Sequence, residues 1–391
     1  MPEACLLLRR TMNINLPSLP ASASSFNSVT TYKLGLRLRG TYQPFRLPPA
    51  ASRVAYLNTA SARLLSSPSH SSPSTARLGP FPQIHTHTHT STRTRTRIHI
   101  HLCTRTRTRT RTLATMSDKL IPKDPSAVAV IRNITPNVVT VSVPFARFEK
   151  VRVGGRGTII RMTSGTIAVF SPVALTPETK AKVAELGGNV GYLIAGDIEH
   201  HIFLSEWKKE YPNAKLIGPK GLPEKRSKMN DPKVGKEQFA FLYDETNAHS
   251  NNISEEFAAD FEVEFVNDHA NKEIVLFYKP DKVLIEADLM FNLPAIEQYS
   301  KVPESEKKGA SILNKLFQTL NNTAGEAKAH KRLLWYAISN ATKNRAGFNE
   351  SVKRIDSWDW ETLIPCHGET IEGTGKQVFR KIFEWHLRGH K

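Results

Sequence analysis

Gly191-Tyr192-Leu193-Ile194-Ala195-Gly196-Asp197-Ile198-Glu199-His200-His201 carries an apolar run straight into a cluster of acid and imidazole groups. Val190 to Ala195 predicts a strand, so the polar cluster falls where that strand leaves its sheet. Three later stretches are built alike: Asn267-Asp268-His269 with the apolar run Glu273 to Tyr278 behind it, Leu284-Ile285-Glu286-Ala287-Asp288, and Ile364-Pro365-Cys366-His367-Gly368. Side chains at such strand ends converge on one edge of a sheet. Imidazole nitrogen with carboxylate oxygen is the donor set of a divalent metal. The pattern predicts a metal site.

On the N-terminal side of these stretches, Ile134 to Phe145 alternates like a strand around Val139, Val141 and Val143. Gly157 to Met162 and Thr166 to Phe170 form a hairpin through Ser164-Gly165. Thr176-Pro177-Glu178 opens a helix that Gly187-Gly188 closes. Glu199 to Tyr211 reads as a second helix, which would start on His200 and His201. Strands follow at Ala214 to Ile217, Phe261 to Val266, Glu273 to Tyr278 and Lys282 to Ala287. Helical patterns centre near Leu316, Leu334 and Val352, and a strand at Thr362 to Ile364 delivers His367 before a closing helix. The order favours two sheets packed face to face with helices outside.

Charge adds little to this. Residues 1–115 carry 16 Lys and Arg against the single acid Glu3, whereas the rest carries 38 basic against 35 acidic groups. A near-balanced body lacks the broad basic surface of a nucleic-acid binder. No run of 18 apolar residues occurs, so no membrane span is expected. Residues 1–115 read as a disordered low-complexity leader, rich in Thr-His and Thr-Arg repeats. A translated DNA repeat ahead of a true start at Met116 explains the repeats; an organellar transit segment is the alternative. Residues 116–391 form the folded domain. Of three cysteines only Cys366 lies in it, which suits the cytoplasm, or mitochondria should the leader be real.

The four motifs, in this order over Val190 to Lys391, resemble the metallo-β-lactamase superfamily, and most its branch named domain of unknown function 4336. The resemblance implies an α+β fold, a four-layer αββα sandwich. It also implies that the first motif stands for His-x-His-x-Asp-His, that Ala287-Asp288 stands for Gly-Asp, and that Cys366-His367-Gly368 ends the series. With Glu199-His200 in the Asp-His place, the two leading histidines fall on Ala195 and Asp197. With His200-His201 there, they fall on Gly196 and Ile198. Either register leaves a two-metal site incomplete.

The resemblance therefore implies a metal-dependent hydrolase with one divalent ion, zinc before iron, acting on a small-molecule substrate. His200, His201, Glu199, Asp288 and His367 are the candidate metal ligands. Asp288, His269 and Asp197 are the candidate catalytic groups, the last two orienting a nucleophile or holding a second, weaker ion. A mononuclear iron oxygenase and an inactive binding protein are the alternatives. Blander readings accompany each residue: a helix-terminal His200, a loop His269, an Asp288 that caps the next turn. Cys366 reads as apolar filler, His249, His330 and His386 as surface groups, and Gly154 to Gly157 as a flexible turn. The helical insert between Asp288 and His367 is expected to shape the pocket. Oligomeric state is left open.

Overall fold

The computed structural model describes residues 122–147, 149–307 and 311–391. The expectations for residues 1–115 and for a start at Met116 lie outside the described residues. Thirteen strands run in chain order among the described residues: β1 Val130–Asn133, β2 Val138–Val143, β3 Ala146–Arg147, β4 Val151–Arg152, β5 Gly155–Arg161, β6 Ile167–Phe170, β7 Val190–Ile194, β8 Lys215–Pro219, β9 Phe241–Tyr243, β10 Phe261–Val266, β11 Glu273–Tyr278, β12 Val283–Ile285 and β13 Thr362–Ile364. A seven-stranded sheet has the order β1-β2-β5-β6-β7-β8-β9, a four-stranded sheet the order β10-β11-β12-β13, and β3-β4 is a separate hairpin.

Strand alternation explains the layering. In β7, Tyr192 and Ile194 face a core shared with Ile274, Leu276 and Tyr278 of β11. Leu193 and Ala195 face the other way, against Val183 of the helix Pro177–Glu185, Leu186 just after it, and Leu204 and Trp207 of the helix Leu204–Glu210. Val275 and Phe277 of β11 likewise turn outward, onto Phe348, Val352 and Ile355 of the helix Arg345–Ser357 and Phe379 of the helix Gly375–Ile382. The result is helix, sheet, sheet, helix: the four-layer αββα sandwich expected from sequence.

The hairpins at Gly165 and at Pro280-Asp281 form as antiparallel pairs, and Thr176 caps its helix through the Thr179 N–H. Three local expectations need correction. β1 is a strand the alternation did not reveal. Residues 199–203 are not helical, because the Asp197 carboxylate accepts the N–H groups of Glu199 and His200 and holds an Asx-type turn there. Gly155 to Gly157 belong to β5 rather than to a flexible turn.

His330 and His386 are buried, not superficial. His386 packs against Trp335, Phe348 and Phe383, and neither of its ring nitrogens has a hydrogen-bond partner. Burial lowers both pKa values to about 4, with the Arg345 charge adding to the effect at His386. The unfolded chain binds these protons near pH 6.5 and the fold resists them. Stability is therefore full above pH 6.5 and falls as pH drops toward 4. Urea unfolding at pH 7.5 and at pH 5 should differ by about 2 kcal/mol per histidine, and His386→Phe should remove its share of that difference.

Candidate metal centre

Parallel pairing of β12 with β13 sets Ile285 beside Ile364, so both strands leave the sheet at the same end. Asp288 and His367 follow them. His200 arrives from the other sheet, on the turn after β7. Nδ1/Nε2 or carboxylate atoms of His200, Asp288 and His367 all lie within 4.8 Å of one another, the single such group of three among the described residues. His200 Nε2 is 3.2 Å from His367 Nε2, which is 3.0 Å from Asp288 Oδ1.

The outer ring nitrogens decide what those inner atoms are. His200 Nδ1 lies 2.8 Å from Asp197 Oδ1 and His367 Nδ1 2.6 Å from the carbonyl of Gly154. A carboxylate and a carbonyl only accept, so both rings donate outward through Nδ1. In the neutral rings both Nε2 atoms are then bare acceptors, facing one another and Asp288 Oδ1. Three acceptors this close need a positive charge among them, a metal ion or a proton. This is the arrangement by which a partner behind the ring fixes a metal-binding tautomer, and the donor set fits a divalent ion.

Protonation follows the same geometry. Burial lowers the pKa of His200, but the Asp197 and Asp288 carboxylates outweigh it and raise it to about 9. Burial works against Asp288, yet His200, His367 and Arg147 hold its carboxyl well below the ordinary range. His367 is lowered by burial. Without metal, the shared charge is thus a proton on His200.

His269 differs from these two. Its Nδ1 accepts the Asn271 N–H at 3.3 Å, so the neutral ring carries its proton on Nε2, which is buried, with the Asp288 backbone carbonyl as the acceptor on offer. Its ring feels the charges of Asp288 and Asp197. Asp197 Oδ2 is a buried atom without a partner. Glu199 and His201 lie apart from the cluster. Glu199 is exposed and pairs with Lys225 Nζ at 2.7 Å. His201 is buried against Arg226, and burial with that charge lowers its pKa to about 3. Of the candidate ligands read from sequence, the structure brings together His200, Asp288 and His367 and leaves Glu199 and His201 outside. Ala195 faces the outer core.

Asp288 caps nothing. Its Oδ2 takes the Asn271 amide, while Glu286 accepts the Leu289 and Met290 N–H groups. Glu273 accepts the Ala287 and Asp288 N–H groups at 2.5 and 3.0 Å. Burial, with the neighbouring carboxylates, pushes both glutamates far up the pH scale. Neither was singled out from sequence, although an acid inside each apolar run was the available signal.

The loop carrying His367 is clamped from behind. Arg156, buried on β5, donates to the carbonyls of Pro365 at 2.6 Å and Gly368 at 2.7 Å, and to Ser142 Oγ at 3.0 Å. Gln298 takes the Gly368 N–H and donates to the Cys366 carbonyl. Gly368 has φ +89°, and a Cβ there would meet the Asn292 carbonyl. Cys366 is buried in the inter-sheet core, a filler as expected. Beside His200 and His367 opens a cavity of about 540 Å³. Its walls come from the stretch between Pro122 and Met229, together with His367. No residue of the insert between Asp288 and His367 lines this cavity, contrary to expectation: its later part packs on the outer face of the second sheet, while Phe291, Leu293 and Ala295 pack with Val151 and Val153, and Phe291 lies against the His367 ring.

Two packed sheets inside helices, with His and Asp groups gathered at the strand ends, define a metallo-β-lactamase-like fold. Residues 146–335 match the family described as domain of unknown function (DUF4336), the branch the motifs resemble; the match begins before those motifs and ends short of His367. Solved structures similar to this chain include the DIM-1 metallo-β-lactamase, at 10% identity and TM-score 0.42, covering 67% of this chain and 98% of that one. A metallo-β-lactamase from Pontibacter korlensis is similar at 10% identity and TM-score 0.40, covering 66% and 98%. No curated protein matches the chain in sequence. No helix among the described residues is long and apolar enough to cross a membrane.

Proposed function

We propose that the chain is a metal-dependent hydrolase that holds one divalent ion, zinc before iron, on His200, Asp288 and His367, and acts on a small-molecule substrate. The facing of two bare Nε2 atoms and Asp288 Oδ1 carries this reading. A divalent ion bound there would bring the pKa of water toward neutrality and polarise an ester, thioester, amide or phosphoester. Asp197 keeps His200 in its ligand tautomer and has Oδ2 left to orient a water. His269 carries a buried Nε2–H beside Asp288, suited to hydrogen-bond developing charge on the substrate. The tautomer of His269 disfavours it as a second-ion ligand, which supports one ion over two.

Two histidines and one carboxylate also suit Fe(II) oxygen chemistry. Zinc-loaded and iron-loaded protein, assayed with a panel of esters and phosphodiesters and by oxygen uptake, separate the readings. Hydrolysis that a chelator abolishes supports ours. Retention of neither metal would overturn it, leaving a binding protein, which the buried Ala195 in a ligand's place would suit. The single described cysteine, buried Cys366, fits a cytoplasmic location.

Metal must displace the His200 proton, whose folded pKa is about 9. Zinc affinity should therefore rise with pH across 6.5 to 8.5, about tenfold per unit at most. Calorimetry in buffers of different ionisation enthalpy should show close to one proton released per ion near neutrality. A flat profile would contradict the His200 assignment.

A further inference from the structure

The cavity beside the metal centre has mostly apolar walls, among them Val143, Phe145, Val173, Phe203 and Met229. Four cationic or acidic side chains in its lining are already engaged. Lys225 is bonded to Glu199 and to the Ile198 carbonyl, Arg156 to the His367 loop, and Glu149 has a partner of its own. Arg147 is different. It lies on the short β3-β4 hairpin at the cavity wall, partly exposed, and its guanidinium makes no hydrogen bond or ion pair with any described residue. Its charge nevertheless reaches both His200 and Asp288, so it stands near the centre. An unpaired guanidinium is a fork for a carboxylate or phosphate, and apolar walls of this volume take a drug-sized hydrophobic group.

We propose that the cavity binds amphipathic anions, an acyl or aryl body on the apolar walls with an oxyanion group on Arg147, and that such anions are the substrate class of the neighbouring centre. The second half rests on the hydrolase reading; the first does not. Arg147 is on this account a specificity-determining residue.

The test measures binding of octanoate, octyl phosphate and octan-1-ol by calorimetry to the full chain, both zinc-loaded and chelator-treated, for the wild type, Arg147→Met and Arg147→Lys. Both preparations are needed because a metal ion would itself attract an anion. In wild type the preferred anion should bind at least about tenfold tighter than octan-1-ol, as one charge-assisted pair provides. The anion-to-alcohol ratio should collapse toward one in Arg147→Met and partly return in Arg147→Lys. The tighter of the two anions names the headgroup, carboxylate or phosphate. An anion preference that survives Arg147→Met overturns the proposal, as does alcohol binding equal to the anions or failure of all three probes. Should zinc retention or turnover fail while the Arg147-dependent preference persists in chelated protein, the hydrolase reading falls and the anion site stands.

Discussion

His367→Ala protein is expected to hold zinc roughly 100- to 1,000-fold more weakly than wild type, the share one ligand carries of a typical structural site. His367 supplies one of three converging atoms, and its Nε2 is the one within 3.2 Å of both of the others. Asp288→Ala should do the same. Glu199→Ala should leave zinc affinity nearly unchanged, because that carboxylate is exposed and bound to Lys225. Competition with a chromophoric chelator reads all three. Equal losses for Glu199→Ala and His367→Ala would show that the ion sits elsewhere.

Arg156→Met should be the most damaging substitution away from the ligands. The guanidinium is buried and satisfies two carbonyls of the His367 loop, with Ser142 and Glu297 on its other nitrogens. Methionine keeps much of the volume but leaves those buried carbonyls without their donor, while Glu297 keeps Arg132 and Ser142. Losing one partner of a buried ionic network costs about 3–5 kcal/mol. Urea unfolding should show that loss. In the fraction still folded, zinc affinity should drop as well, since the loop that presents His367 is no longer held. Arg156→Lys should rescue little, because an ammonium cannot serve that spread of acceptors as a planar fork does. Wild-type zinc affinity in Arg156→Met would show that the loop holds its own shape.

The two-sheet architecture was legible because each strand writes its two faces in alternation, as Tyr192 and Leu193 do. His200, Asp288 and His367 were legible because burying a polar group at the end of an apolar strand is costly unless it has a partner. What was missed depends on distant contacts. Glu199 and His201 look like ligands by type and position, but Lys225 and Arg226, far along the chain, turn them away. Arg156 and the Gly154 carbonyl carry no signature of their own, since a backbone oxygen reads the same in every residue. The insert was expected to shape the pocket, whereas Phe348 and Val352 pack its later part on Val275 and Phe277, on the outer face of the second sheet.

His200 belongs to one half of the sandwich, and Asp288 with His367 to the other. An ion held by all three would act as a rivet through the molecule's seam, adding to the hydrocarbon contact and to bonds such as those of Arg156 with the His367 loop. Thermal midpoints would then climb with free zinc in proportion to the logarithm of its concentration over Kd. Chelation would loosen the seam at this rim first, where hydrogen exchange in β7 and β12 would register it before the far ends of those strands.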